Sequence, residues 1–186
     1  MYKRQPGQLV GSNLTLQQGL WGGLIVLGKA PLSVSGGATA QIEGIPASDT
    51  NGLYGGSDAS DNSGTYNYIS VRHGGTSIGE GNEINGVTFG GVGTGTTVSN
   101  IEVVANVDDG IEFFGGTVNA SNLLVWAQGD DGLDIDQSYS GTVSNSMVIL
   151  GANSDHALEI DGPEGTMEDT YTVSYTHLRA HETAVN

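Results

Sequence analysis

Carboxylates recur in this sequence at fixed places in a short motif. It reads Asp109-Gly110-Ile111-Glu112-Phe113, then Asp131-Gly132-Leu133-Asp134-Ile135, then, with one extra residue, Asp155-His156-Ala157-Leu158-Glu159-Ile160. An earlier copy, Asn85-Gly86-Val87-Thr88-Phe89, keeps the frame with neutral polar groups. Apolar and polar positions alternate, so Thr88, Glu112, Asp134 and Glu159 share one face of a half-buried strand. Asn85, Asp109, Asp131 and Asp155 share the turn before it, with Asp108 and Asp130 beside the middle two. Asp136 and Asp161 offer a further outward position. Copies stacked about 4.8 Å apart would set like charges directly opposite one another. A hard cation would relieve the repulsion. Calcium takes about 6–8 oxygen ligands at about 2.3–2.6 Å, and the candidate ligands are Asp109, Glu112, Asp131, Asp134, Asp155 and Glu159. The other account is that Asp-Gly is simply turn chemistry and the acidic face is solvated.

The elements that position these groups are themselves repeated. Val98-Ser99-Asn100, Ala120-Ser121-Asn122 and Val143-Ser144-Asn145 recur at steps of 22 and 23, each followed by a β-rich run. Asn67-Tyr68-Ile69-Ser70-Val71 fits the same start one longer coil earlier. A third marker, Gly95-Thr96, Gly116-Thr117, Gly141-Thr142 and Gly165-Thr166, closes each coil. Short strands with glycine turns and no 3.6-residue stripe describe a parallel β-solenoid. The usual handedness of parallel connections makes it a right-handed parallel β-helix. Trp21 to Leu27 reads as a strand of an earlier coil, and residues 36–64, rich in Gly, Ser, Asp and Asn, as an excursion loop that is solvated or touches a ligand.

Composition sets the outer limits. Glycine supplies 31 of 186 residues, more than twice the usual share of about 7%. A net charge of −16 argues against nucleic acid and anionic membrane surfaces. The absence of cysteine excludes disulfides, thiolate metal sites and a Cys nucleophile. A monomer with no direct membrane insertion is expected.

The two ends read differently from the rest. Met1 to Gln5 and Val173 to His177 can be encoded by opposite strands of one short DNA segment, and Leu178 to Thr183 resembles the rest of a transposase adapter. Residues 1–5 and 173–186 are therefore set aside as processing scars, leaving residues 6–172 as a fragment of a longer β-helix. Within it, Lys29 and Arg72 are the only Lys or Arg. A signal peptide, if one exists, would lie beyond the fragment.

The segments WGGLIVLGKAP (21–31), IEGI (42–45), YGG (54–56), EINGVTFGGVGTGT (83–96) and DDGIEFFGGTVN (108–119) resemble a family of exported bacterial β-helix proteins, over about 20–165. The resemblance implies a secreted (extracellular) or cell-surface repeat protein and no defined chemistry; the acidic ladder adds the expectation of a structural or adhesive module that binds cations or an extracellular polysaccharide. A second resemblance is to polygalacturonase-like hydrolases, through Asn106-Val107-Asp108-Asp109-Gly110, Asp130-Asp131-Gly132 and Asp155-His156. It implies Asp131 or Asp130 as general acid, Asp109 or Asp108 activating water, and His156 orienting them. Val107 stands where that family has Thr, and Asp155 and Ala157 flank His156 where it has glycines. A β-helix lyase would instead need Arg72 or Lys29 as base. Asn100, Asn122 and Asn145 suggest an amide ladder at turn backbone groups, or sugar hydrogen bonding. The Gly-Thr marker suggests a corner, or a hydroxyl row for ice. Trp21, Trp126 and Tyr139 are candidates for core packing or sugar stacking. Arg72-His73 is expected to contact the acidic turns.

Overall fold

A computed structural model describes residues 16–76 and 84–164. Both adapter-like ends and Gly165-Thr166 lie outside the described residues. Among the described residues twelve strands, numbered in chain order, form two parallel five-stranded sheets and one small hairpin. The first sheet runs β1 (Leu24–Leu27), β5 (Val87–Gly90), β7 (Ile111–Phe114), β9 (Leu133–Asp136) and β12 (Leu158–Ile160). The second stacks β4 (Thr65–Arg72), β6 (Thr97–Val104) and β8 (Ala120–Trp126), with β10 (Val143–Ser144) and β11 (Met147–Ile149) both on β8. Each coil gives one strand to each sheet before the chain climbs, and this is a parallel β-helix.

Inward residues of both sheets make one core. Val87 and Phe89, Ile111 and Phe113, and Leu133 face Ile101, Val103, Leu123 and Val125. Aromatic rings stack along the axis: Phe89 and Phe113 lie 5.4 Å apart, and Phe113 and Tyr139 4.7 Å. Tyr139 is thus a core residue, its hydroxyl donating to the Val118 carbonyl at 2.6 Å.

The asparagine corner is a true ladder. Asn100, Asn122 and Asn145 share a rung and a left-handed backbone (φ 54, 57 and 51), which a short amide side chain tolerates better than most. Their amides bond to one another rather than to turn backbone: Asn100 donates to Asn67 at 2.8 Å, Asn122 to Asn100 at 3.2 Å, and Asn145 to Asn122. In the earliest coil Tyr68, not Asn67, takes the left-handed rung.

The Gly-Thr marker is not a ladder. Val98, Ala120 and Val143 share a rung, and the preceding Thr96, Thr117 and Thr142 lie two, three and one residues before it. The corner absorbs coils of unequal length, so the hydroxyls never line up.

The excursion after β1 is structured. It carries an antiparallel hairpin, β2 (Ala40–Gln41) with β3 (Leu53–Tyr54), and folds back over the outer face of the first sheet. Ile42 and Tyr54 are buried there, Tyr54 lies 6.1 Å from the Phe114 ring, and its hydroxyl donates to Gln137 Oε1 at 3.0 Å. Gly90 makes room for it: a Cβ there would stand 3.0 Å from the Tyr54 ring.

Candidate functional site

Strand register delivers the carboxylates to one row. Thr88, Glu112, Asp134 and Glu159 stand on consecutive strands of the first sheet, facing away from the core. The surprise is their burial. Thr88 is 2% exposed and Glu112 5%, because this face looks towards the excursion and the neighbouring acids rather than open water. A fully solvated acidic face is therefore not what these residues make.

The turn before the strands forms a second row held by the backbone. Asp109 Oδ1 accepts from the Asp131 amide at 3.0 Å, and Asp131 Oδ1 from the His156 amide at 2.6 Å. This corrects the last copy of the motif. His156, not Asp155, occupies the rung of Asp131, because Leu158 pairs with Leu133 and no residue is inserted between turn and strand. Asp155 instead stacks on Asp130, its amide donating to the Asp130 carbonyl at 2.9 Å. Two buried amides brace the turns from inside. Asn106 Nδ2 donates to the carbonyls of Asp109 (2.9 Å) and Ile84 (3.0 Å), and Gln128 Nε2 reaches Asp130 and His156 carbonyls at 3.3 and 3.4 Å.

Every candidate metal ligand named from the motif falls in a cluster, and the clusters differ in character. Asp109, Glu112 and Asp134 bring one oxygen each within 4.8 Å of one another, from two coils. Asn85, 1% exposed, donates its amide to Glu112 Oε2, while Asn85 Oδ1 and Asp134 Oδ1 are buried with no hydrogen-bond partner among the described residues. Asp131, His156 and Glu159 form a second group on the same distance criterion. Asp130, Asp131 and Asp155, and Asp108, Asp109 and Asp130, complete the set.

Burial dominates the electrostatics. Asp109 is pushed up to about 8, by desolvation first and then by the charges of Asp108, Asp134 and Asp130, against the Asp131 amide that favours its anion. Glu112 is raised well above the carboxylate range by burial, with Asp134, Asp109 and Glu43 adding to it. Asp134 moves the same way, again through burial, eased by its hydrogen bond with Glu112. Glu159 is raised mainly by a hydrogen bond with Asp131, and Asp136 by burial beside Glu164. Burial thus favours the neutral form of these carboxyls, and a bound cation would compete with their protons.

Two contributors lie outside the motif: Glu43 arrives from the excursion and Glu164 from beyond the last strand. Asn85 stands in the motif frame, but as a neutral turn residue it is not among the candidate ligands. The basic residues also lie elsewhere. Arg72 pairs with Glu102 and donates to Ser70 Oγ at 2.9 Å, both on the second sheet, so it does not contact the acidic turns. His73 Nδ1 meets the Gln17 carbonyl at 2.7 Å, and Lys29 is exposed. Trp21 is half-buried, donating to the Arg72 carbonyl at 2.7 Å, and Trp126 is 38% exposed on the outer face of the second sheet.

A parallel β-helix with a buried carboxylate row on one sheet defines the class of domain. The chain matches the model of the pectate-lyase like beta helix domain over residues 3–182, and it belongs to that family. Membership fits a polysaccharide-related function at the level of the family. No curated protein and no solved structure matches the chain. Among the described residues no helix is long and apolar enough to cross a membrane.

Proposed function

We propose that this chain is an extracellular or cell-surface β-helix module of polysaccharide-related function whose carboxylate row holds calcium between coils. One observation carries the reading: Asp109, Glu112 and Asp134 are gathered within 4.8 Å and largely withdrawn from water, and Asp134 Oδ1 and Asn85 Oδ1 are buried without a partner among the described residues. Three carboxylates and an amide oxygen are hard donors of the kind calcium prefers, and a flexible coordination number suits ligands drawn from separate coils. Calcium would offset the cost of burying these carboxylates and would join consecutive coils. A glycan bearing carboxylates could then share the ion, which the net charge of −16 would otherwise repel.

The hydrolase reading rests on the same turns, where Asp108, Asp109 and Asp130 bring one oxygen each within 4.8 Å. Inverting hydrolysis uses carboxyls about 6.5–9.5 Å apart to admit a water. The cation reading is preferred for the buried, partly unpartnered Asp109–Glu112–Asp134 group and not for the spacing of these turns. A lyase base is no better served, since Arg72 is engaged with Glu102 on the other sheet.

Titration calorimetry on chelator-treated protein tests the proposal, with calcium, then magnesium at matched ionic strength. The expected result is a calcium-selective isotherm that Asp134→Asn weakens at least tenfold. Equal, weak heats for both ions, unchanged in Asp134→Asn, would sink it. Retardation of the protein in gels containing an acidic polysaccharide, only with calcium present, would extend the reading to glycan.

A further inference from the structure

The excursion carries a self-contained unit between two glycine pairs. Gly36-Gly37 (φ 93 and 155) and Gly55-Gly56 (φ 89 and 156) repeat nearly the same two backbone conformations, which a Cβ disfavours. The arms outside them are pinned to their surroundings. On one side the Ala30 amide donates to the Gly91 carbonyl at 2.7 Å, the Gly116 amide to Pro31 at 2.8 Å and the Ser33 amide to Gln137 at 3.0 Å. On the other, the Gly55 amide donates to the Gly28 carbonyl and the Asp58 amide to Lys29, both at 2.9 Å. Residues 38–54 carry bonds of their own: the Ile42 amide donates to the Gly52 carbonyl at 2.8 Å, and Gln41 Nε2 to the Ile45 carbonyl at 3.1 Å.

This unit meets the coils at one end of the carboxylate row. Tyr54 sets its ring against Phe114, and Glu43 adds its charge to that of Glu112. Thr88 and Glu112 are buried there, whereas Asp134 and Glu159, further along the row, are half-buried. The Tyr54 hydroxyl donates to Gln137 Oε1, and Gln137 Nε2 donates to Glu164 Oε2 at 3.3 Å. Gln137 breaks the pattern of its corner. The preceding coils place Gly91 (φ 57) and Gly115 (φ 60) on that rung, and Gln137 takes the same left-handed backbone (φ 52) with a side chain attached. Such a conformation is strained for glutamine, and here it aims the amide at Tyr54.

We propose that residues 38–54 are a hinged lid, closed over the Thr88–Glu112 end of the row and latched by Tyr54 on Gln137. Rotation at the two glycine pairs swings the hairpin off the first sheet while both arms keep their bonds. The occupant of the uncovered face is an acidic polysaccharide bridged by calcium; that clause rests on the function proposed above, and the lid itself does not. A closed lid lowers apparent affinity by the open fraction, so loosening the latch strengthens binding.

Hydrogen–deuterium exchange of the full chain in chelator tests the lid without any ligand. Amides of residues 38–54 should exchange as a unit, at least about tenfold faster than those of β5 and β7. Tyr54→Phe keeps the ring, and Gln137→Gly suits the left-handed backbone. Each should speed exchange in 38–54 by about three- to tenfold and leave β6 and β8 unchanged. Carbodiimide labelling of Glu112 should rise with it, while labelling of Glu102 on the second sheet stays constant. Should one variant misfold, the other decides. Exchange of 38–54 in step with β5 and β7, acceleration spread over all coils, or unchanged exchange and labelling in both variants overturns the lid. With calcium present, gels containing polygalacturonate should retard Gln137→Gly more than the parent, and equal retardation overturns the gating role. If polygalacturonate retards neither protein, the glycan reading fails, and exchange and labelling alone decide the lid.

Discussion

Replacing Glu112 by Gln should have opposite consequences with and without calcium. Glu112 is 5% exposed, accepts from Asn85, shares a hydrogen bond with Asp134 and is held towards its neutral form by burial. Glutamine is nearly isosteric with the neutral acid and can still donate to Asp134. In chelator the variant should therefore be at least as stable as the parent. In calcium the parent gains the binding free energy, about 2.7 kcal/mol at a hundred times the Kd. For a chain of this size each kcal/mol shifts Tm by about 2–4 °C, so the parent should rise by about 5–11 °C. Glu112→Gln should lose most of that rise. Calorimetric melts of both proteins, in chelator and in calcium, give four Tm values whose order must invert between conditions. Equal calcium shifts in parent and variant would refute the role given to Glu112, and a variant markedly less stable in chelator would refute the account of its burial.

The same burial sets a pH dependence. Asp109 moves from an ordinary 3.8 to about 8 in the fold, so its contribution to stability is intact below about pH 4 and is lost as pH rises towards 8. Urea midpoints in chelator should fall between pH 5 and 8.5, and calcium should flatten the slope; a midpoint that rises with pH in chelator contradicts this. In the core, Phe113→Ala removes a ring stacked on both Phe89 and Tyr139 and should cost about 3–5 kcal/mol by urea denaturation. On the corner, Asn122→Ala loses amide bonds to two neighbours and the tolerance of a short amide side chain for φ 57, for about 1–3 kcal/mol, while Asn122→Gly should recover the backbone part. Gly90→Ala should press on Tyr54 and speed proteolytic cleavage within residues 36–64 without changing the far-ultraviolet spectrum.

The coil architecture and the carboxylate row were legible because a stacked fold translates sequence period into spatial register. Alternation put Glu112, Asp134 and Glu159 on one face, and the recurring Asn100, Asn122 and Asn145 announced a corner. Both follow from local geometry, since a strand has a period of two and a short polar side chain tolerates the left-handed turn. Register could still slip where a motif was inexact. The motif aligns Asp155 with Asp131, whereas backbone pairing of Leu158 with Leu133 puts His156 on that rung. Thr96, Thr117 and Thr142 looked equivalent and are not, because coil length varies at that corner. Solvent access lay beyond sequence altogether. Whether the acidic face is wet depends on where residues 36–64 fold, and nothing local to Glu112 says that Tyr54 and Glu43 come near it. Arg72 chose Glu102 on its own sheet for the same reason: long-range partners are set by packing of segments distant in the chain. The sequence by itself determined the repeat, its faces and the donors it offers, and the tertiary structure alone decided which donors lose their water and so which can hold an ion.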